Sequence, residues 1–313
     1  MKNSDKSSTV FLLAFTPLHV LIYIALNKTV LLNKQTVLIL FNAKKTQNIV
    51  QLLQKSSQDA LFDEILEIVN IKKYALFQQE AKALVMKYHP CEIYTGNDKK
   101  FYFQFFMHFS KKYIKNQHVK GCYVDDGFSS YTTSKIKVNT VKRFKRKLLR
   151  PWFEYVETMG TSSWVKQSFL MAPDKSQNKH TNTCDIAEVI RNSNELEKLS
   201  LFVAKDYSLN SNVNKRNWVL LPSPYEKKHH SKSIAKLKQI CKNSKHELCI
   251  VKPHPDDEVS YKANNILELP AAIPVELMSF MMKESDTVYA GRTSAAMTLN
   301  LLCPNVKLLS IDR

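Results

Sequence analysis

Three short stretches of this sequence place groups able to do acid–base and anion chemistry at the ends of apolar runs. The first is Tyr123-Val-Asp-Asp-Gly127, continued by Phe-Ser-Ser-Tyr131. Two carboxylates leaving a strand together are like-charged and desolvated, which lifts one pKa toward the range of a general base. Gly127 permits the sharp backbone turn that would aim a carboxylate outward. An ordinary Asp-Gly turn and a metal-binding acidic pair fit the same residues.

The second stretch is Leu248-Cys-Ile-Val-Lys-Pro-His254-Pro255-Asp-Asp-Glu258. Strand alternation puts Lys252 and His254 on one side, and Pro253 and Pro255 stiffen the chain around them. An imidazole and an ammonium together suit a departing phosphate. His89-Pro90 repeats the dipeptide, but there it closes a helical pattern before a strand and reads as structural. The third stretch is Tyr289-Ala-Gly-Arg-Thr-Ser294, where Gly291 leads a strand into a helix whose first turn carries Thr293 and Ser294. Hydroxyls there cap helices, and the N–H groups of a helix start also bind anions. Upstream, Ile273-Pro274-Val-Glu276 opens another helical pattern; Glu276 could cap it or accept hydrogen bonds from a ribose.

The elements that must position these groups read as an α/β pattern. Strand-like runs fall at 10–15, 36–41, 64–69, 92–95 and 121–124, with amphipathic stretches at 17–29, 45–57, 73–88 and 99–115. A second series has strand-like runs at 218–221, 247–251, 266–269, 287–289 and 306–311. Its helical patterns lie at 232–243, 274–283 and 293–302. Alternation of this kind predicts parallel sheets. The expected architecture is two Rossmann-like, doubly wound domains facing a central cleft, with ligands at the carboxyl ends of the strands. Residues 1–171 form the expected N-terminal Rossmann-like domain. Residues 172–217, polar apart from a helix-like stretch at 186–205, form the expected connection. Residues 218–313 form the expected C-terminal Rossmann-like domain.

Composition narrows the chemistry. The 313 residues include 5 glycines, against roughly 22 at average usage. Neither the dinucleotide fingerprint nor the P-loop can be written anywhere, so a phosphate must be held by hydroxyls, basic side chains and a helix N-terminus. Six cysteines, at 91, 122, 184, 241, 249 and 303, form no C-x-x-C pair; Cys122, Cys249 and Cys303 read as small buried hydrophobes, which fits a reducing, cytoplasmic setting. The apolar segment at 9–26 imitates a signal peptide or membrane span, but Thr16-Pro17 and His19 interrupt it. A buried strand, turn and helix is the expected outcome. The formal charge is +18, from 46 Lys+Arg and 28 Asp+Glu. The run from Lys142 to Arg150, KRFKRKLLR, holds six cations. A solvated helix face ranks first for it, a peripheral contact with anionic lipid second and nucleic acid third.

Taken in order, Asp125-Asp126-Gly127, His254-Pro255 and Thr293-Ser294 resemble the acidic-pair-Gly, His-Pro and Ser/Thr-pair motifs of bacterial sialyltransferases of the GT-B fold. The opening Phe15-Thr-Pro-Leu-His19 is most similar to glycosyltransferase family 52, the lipooligosaccharide and capsule sialyltransferase group. The resemblance implies an inverting, metal-independent transfer from CMP-sialic acid to a terminal sugar hydroxyl of a glycan acceptor, with no cofactor. It implies that Asp126 is the general base, with Asp125 in support, and that His254 stabilises or protonates the leaving phosphate. Thr293 and Ser294 would hold that phosphate, Lys252 would contact the nucleotide and Glu276 the ribose. Glu226, in the loop Pro222-Ser-Pro-Tyr-Glu226, is the competing base. Gly127, Pro255 and Gly291 shape the backbone of the motifs. A GT-B transferase with a different nucleotide sugar is the second reading, and a basic, non-catalytic polyanion- or membrane-binding protein the third. No nucleic-acid partner is expected; the sequence leaves the oligomeric state open, with a homodimer built through the 172–217 connection as one reading.

Overall fold

The computed structural model describes residues 8–41, 43–56, 61–114, 118–125, 127, 130–131, 150–176, 182–209, 215–243, 247–261, 266–291 and 293–311. The chain divides into two compact units. Met1–Gln47 with Ser57–Val189 form one, and Asn48–Ser56 with Ile190–Arg313 the other.

The first unit holds a seven-stranded sheet of β1 Thr9–Ala14, β2 Gln35–Leu40, β3 Glu64–Glu67, β4 Glu92–Thr95, β5 Lys120–Val124, β6 Val165–Leu170 and β7 Asn182–Asp185. The order is β3-β2-β1-β4-β5-β6-β7 and every pairing is parallel. Its strands are connected through α1 Pro17–Asn27, α3 Tyr74–Tyr88 and α4 Phe101–Tyr113, and through α2 Ala43–Lys55, which from Asn48 on is grouped with the second unit. A parallel strand covered on both faces is apolar throughout, not alternating. In β1, Val10 through Ala14 are fully buried. The 9–26 segment is thus an inner strand followed by a buried helix. Thr16 caps that helix by accepting from the His19 N–H, and Pro17 occupies its first turn. Among the described residues, no helix is long and apolar enough to cross a membrane.

His19 shows how tightly this end of the sheet is set. Its Nδ1 accepts from the Phe15 and Thr16 N–H groups at 3.0 and 3.3 Å, and the residue is 1% exposed. A Cβ at Gly96, just past β4, would overlap the His19 ring, so only glycine fits there. An aromatic core lies on the α3–α4 side. Phe77 meets Phe41, Phe101, Tyr102, Phe105 and Phe106, with ring centroids 5.0–6.4 Å apart. At the far end of α3, His89 adopts the left-handed conformation at the C-cap, so His89-Pro90 is a helix stop.

The second unit holds a five-stranded parallel sheet of β8 Arg216–Leu220, β9 Leu248–Lys252, β10 Ile266–Glu268, β11 Thr287–Ala290 and β12 Lys307–Ser310, in the order β10-β9-β8-β11-β12. Its helices include α6 Asn194–Asp206, α7 Lys227–Asn243 and α8 Ser294–Leu302, with α5 Ile186–Arg191 in the approach to it. Residues 274–283, expected as α-helix, contain a 3-10 helix, Val275–Met281, behind Pro274. Within 172–217, expected as a connection, Asn182–Asp185 completes the first sheet beside β6, and Ser193 starts α6 by accepting from the Leu196 N–H. Residues 177–181 and 210–214 of that stretch lie outside the described residues. Cys303, expected to be buried, is half-exposed; Cys122 and Cys249 are buried.

The second sheet is pinned at the amino ends of its central strands by a buried ion pair. Arg216 and Asp286 are 1% and 0% exposed, with Nη2 2.8 Å from Oδ2. The Asp286 carboxylate also accepts from the Arg216 backbone N–H at 3.1 Å, Trp218 Nε1 at 3.2 Å and the Lys283 N–H at 3.1 Å. Removing one member of such a pair strands the other charge without water. Asp286→Ala is therefore expected to cost about 3–5 kcal/mol. An Arg216→Met/Asp286→Leu double variant is expected to lose less, and urea denaturation of all three proteins is the check.

Candidate active site

At the carboxyl end of β5, Asp125 is fully buried and its backbone N–H donates to Phe169 O at 2.8 Å. Four donors converge on its carboxylate. Oδ1 accepts from the Gly127 N–H at 2.9 Å and from Ser130 Oγ; Oδ2 accepts from the Met171 N–H at 3.2 Å and from the Tyr131 hydroxyl. The Tyr131 oxygen in turn accepts from the Ala172 N–H at 2.8 Å. Burial pushes the Asp125 pKa up against the pull of those donors. Asp125 thus ties the loop after β5 to the end of β6. Gly127 sits at φ +139°, where a side chain would be strained. Asp126 lies outside the described residues, as do residues 142–149 of the basic run.

In the second unit the chain order reverses between β8 and β11, and the loops leaving those strands flank that point. The β11 exit carries Gly291, which is buried, and then Thr293. The Thr293 hydroxyl accepts from the Ala296 N–H at 3.1 Å and so caps α8, while Ser294 is exposed in the first turn. Glu226 ends the β8 exit loop, also exposed. Its N–H donates to Ser223 O, and its carbonyl accepts from the His230 N–H, both at 2.9 Å.

The β9 exit carries Lys252, His254 and Pro255. His254 Nδ1 accepts from the Asp256 N–H at 3.1 Å, so the neutral ring carries its proton on Nε2. The imidazole is about a third exposed (33%). A donor at Nε2 is what a phosphate oxygen requires. Lys252 is enclosed: Nζ donates to Pro253 O at 2.6 Å and Ala271 O at 2.9 Å. Burial lowers its pKa to about 8, with the nearby Glu276 charge opposing the shift. Glu276 is buried too, and its Oε1 accepts from the Thr298 hydroxyl of α8 at 2.8 Å. Sequence reasoning assigned these two side chains to ligand contacts. In the structure they join the β9 exit, the 3-10 helix and α8.

The family model for glycosyltransferase family 52 matches residues 33–312. The chain belongs to glycosyltransferase family 52. No curated protein sequence matches significantly. Among solved structures, the chain resembles UDP-N-acetylglucosamine 2-epimerase from Rickettsia bellii at 12% identity and a TM-score of 0.53, covering 96% of this chain and 78% of that one. It also resembles UDP-GlcNAc 2-epimerase from Neisseria meningitidis, determined bound to UDP-GlcNAc, at 10% identity and a TM-score of 0.51, covering 92% and 79%. At these identities the likeness concerns the fold, two Rossmann-like units of the GT-B type.

For this family-52 transferase, three residues absent from the sequence expectations stand out. Asp257 Oδ2 accepts from His230 Nε2 at 2.9 Å and from the Tyr261 hydroxyl at 2.8 Å; Asp257 Oδ1 accepts from the Val259 N–H at 3.1 Å. Burial would raise the Asp257 pKa, but those donors and the His230 charge outweigh it and hold it below the usual range. The Asp-Asp-Glu run after Pro255 was the available signal. Its partner on α7 lies 27 residues earlier, which no local pattern marks.

The Lys252 shift gives a prediction with a definite sign. Its folded pKa of about 8 lies below the ordinary 10.5. Between those values the unfolded chain holds a proton that the folded chain has released, so native stability rises with pH across that window. Below it, the buried ammonium costs stability. Lys252→Met removes this dependence. From pH 7.5 to 10, the wild type is expected to gain up to about 3 kcal/mol relative to that variant, read from urea unfolding at each pH.

Proposed function

We propose that this family-52 glycosyltransferase is an inverting sialyltransferase that moves sialic acid from CMP-sialic acid to a terminal galactose of a cell-surface glycan. The carrying observation is the carboxyl edge of the second sheet. There the Nε2–H face of His254, the exposed Ser294 hydroxyl and the N-terminus of α8 are all donors suited to a phosphate oxygen. CMP leaves as a phosphate monoester, so negative charge grows on its oxygens as the bond to sialic acid C2 breaks. His254 donates to those oxygens from Nε2. The acceptor oxygen forms the new bond to C2 from the opposite face, through an oxocarbenium-like state, and gives its proton to a carboxylate.

Asp126, which stands in sequence between the buried Asp125 and Gly127, is the proposed base; Glu226 is the alternative. Glu226 has the merit of standing on the same unit as His254, at the start of the same helix that carries His230. Removing a general base is expected to lower kcat by about 10²–10⁴-fold. Asp126→Ala and Glu226→Ala, compared in a CMP-sialic acid transfer assay, decide between them: near-normal turnover in Asp126→Ala passes the role to Glu226. A second measurement tests the donor. CMP at about 100 times its dissociation constant is expected to stabilise the protein by roughly 2.7 kcal/mol in thermal unfolding. Stabilisation by UDP and not by CMP would overturn the sialyl-donor reading in favour of another nucleotide sugar.

The proposal extends to a peripheral contact of the 142–150 run with anionic lipid on the cytoplasmic face. Arg150, its one described residue, places its guanidinium 4.1 Å from the Tyr74 ring centroid and 4.8 Å from that of Phe101, with Trp152 beside Phe101. Basic and aromatic groups together suit a headgroup layer. Flotation with phosphatidylserine-containing vesicles is expected to capture the protein at low salt and release it at high salt; equal capture by neutral vesicles would refute the contact.

A further inference from the structure

The sequence brings His254 to the end of β9 but does not explain why an imidazole on a polar exit loop should keep one orientation. Asp257 supplies the reason. Its backbone N–H donates to His254 O at 2.9 Å, closing a four-residue turn from His254 to Asp257. Inside that turn the Asp256 N–H donates to His254 Nδ1 at 3.1 Å. The imidazole is therefore fixed by the turn, and the turn is fixed by whatever holds Asp257. That is a trio from outside the turn: His230 on α7, the Tyr261 hydroxyl and the Val259 N–H. The Asp257 side chain is 1% exposed, so these bonds are made away from water. A carboxylate only accepts, so His230 carries its proton on Nε2, and the Tyr261 oxygen lies 3.3 Å from that nitrogen as a second partner.

His230 also faces the other way along the chain. Its backbone N–H donates to Glu226 O at 2.9 Å, which ties the β8 exit to the first turn of α7. One residue thus grips both exits, the one bearing Glu226 through its main chain and the one bearing His254 through its ring. We propose that His230, Asp257 and Tyr261 are positioning residues: they lock the His254 turn onto α7, fix the Nε2–H tautomer that faces the leaving phosphate, and set the His254 turn relative to the Glu226 loop. This rests on the reading of His254 as the phosphate-facing donor.

The test uses the full-length protein with His230→Gln, Asp257→Asn and Tyr261→Phe, and Lys232→Ala on the exposed face of α7 as control. In transfer from CMP-sialic acid, each of the three is expected to lower kcat by about tenfold or more while donor KM stays within about threefold, the pattern of a lost transition-state contact. Melting temperatures are expected to stay within about 4 °C of wild type, and the control to match wild type throughout. Because the trio acts through His254, adding His230→Gln to His254→Ala is expected to cause little further loss. Full additivity in that pair, or a kcat unchanged in all three variants, would overturn the proposal.

A readout without donor separates the two layers. Nitrogen chemical shifts of labelled histidine are expected to show His254 as the Nε2–H tautomer in the wild type and as a tautomer mixture in Asp257→Asn. A locked tautomer that the variant releases, in a protein inert toward CMP-sialic acid, would uphold the positioning and overturn the donor reading. The same single tautomer in wild type and Asp257→Asn would overturn the positioning whatever the donor.

Discussion

Parallel pairing requires each strand of both sheets to return through a crossover before the next begins, so every strand of a sheet ends at one edge. The β5 exit with Asp125 and Gly127, the β9 exit with Lys252 and His254, and the β11 exit with Thr293 and Ser294 each stand at such an edge. Chemistry can gather there because the opposite edge carries the load. Arg216 and Asp286 meet at the amino ends of β8 and β11 with no exposure to water, across 70 residues of chain. One end of the second sheet is held by a buried charge pair, and the other is left to loops.

Those loops are shaped in a way the glycine count anticipates without revealing. A chain with 5 glycines has few positions that can turn freely. Buried aspartates take over by accepting backbone N–H groups. Asp98 accepts from Gly160 and Ser162, Asp125 from Gly127 and Met171, and Asp257 from Val259. Each carboxylate satisfies donors that a tight loop would otherwise leave unpaired. The exits are therefore set by acceptors reaching back from side chains, and one of them, Asp257, sits within three residues of His254.

The first five strand-like runs of the sequence correspond to β1–β5 and the five of the second series to β8–β12; the inner strands β1 and β2 are the clearest, because buried parallel strands read as unbroken apolar runs. β6 and β7 escaped that test: Val-Lys-Gln-Ser-Phe-Leu is an inner strand interrupted by the less buried Lys166 and Gln167, and Asn-Thr-Cys-Asp is a polar strand at the sheet's edge. The motif residues were legible as types in order, but not which of them face outward. Lys252 and Glu276 are enclosed, whereas Ser294 and His254 are accessible. His230 with Asp257 and Tyr261 was illegible because its logic is a three-way meeting of a helix and a loop, visible only once α7 lies over β9.

His19 and Gly96 carry a consequence for how this protein can vary. The ring of one occupies the volume where the other would bear a side chain, 77 positions apart in sequence yet one space in the folded unit. Neither position can drift alone toward a larger residue. A change at 96 becomes admissible only after the imidazole has gone, and with it the acceptor for the Phe15 and Thr16 N–H groups. In mutational terms the pair behaves as a single site with two letters, and a library that randomises one of them must randomise both.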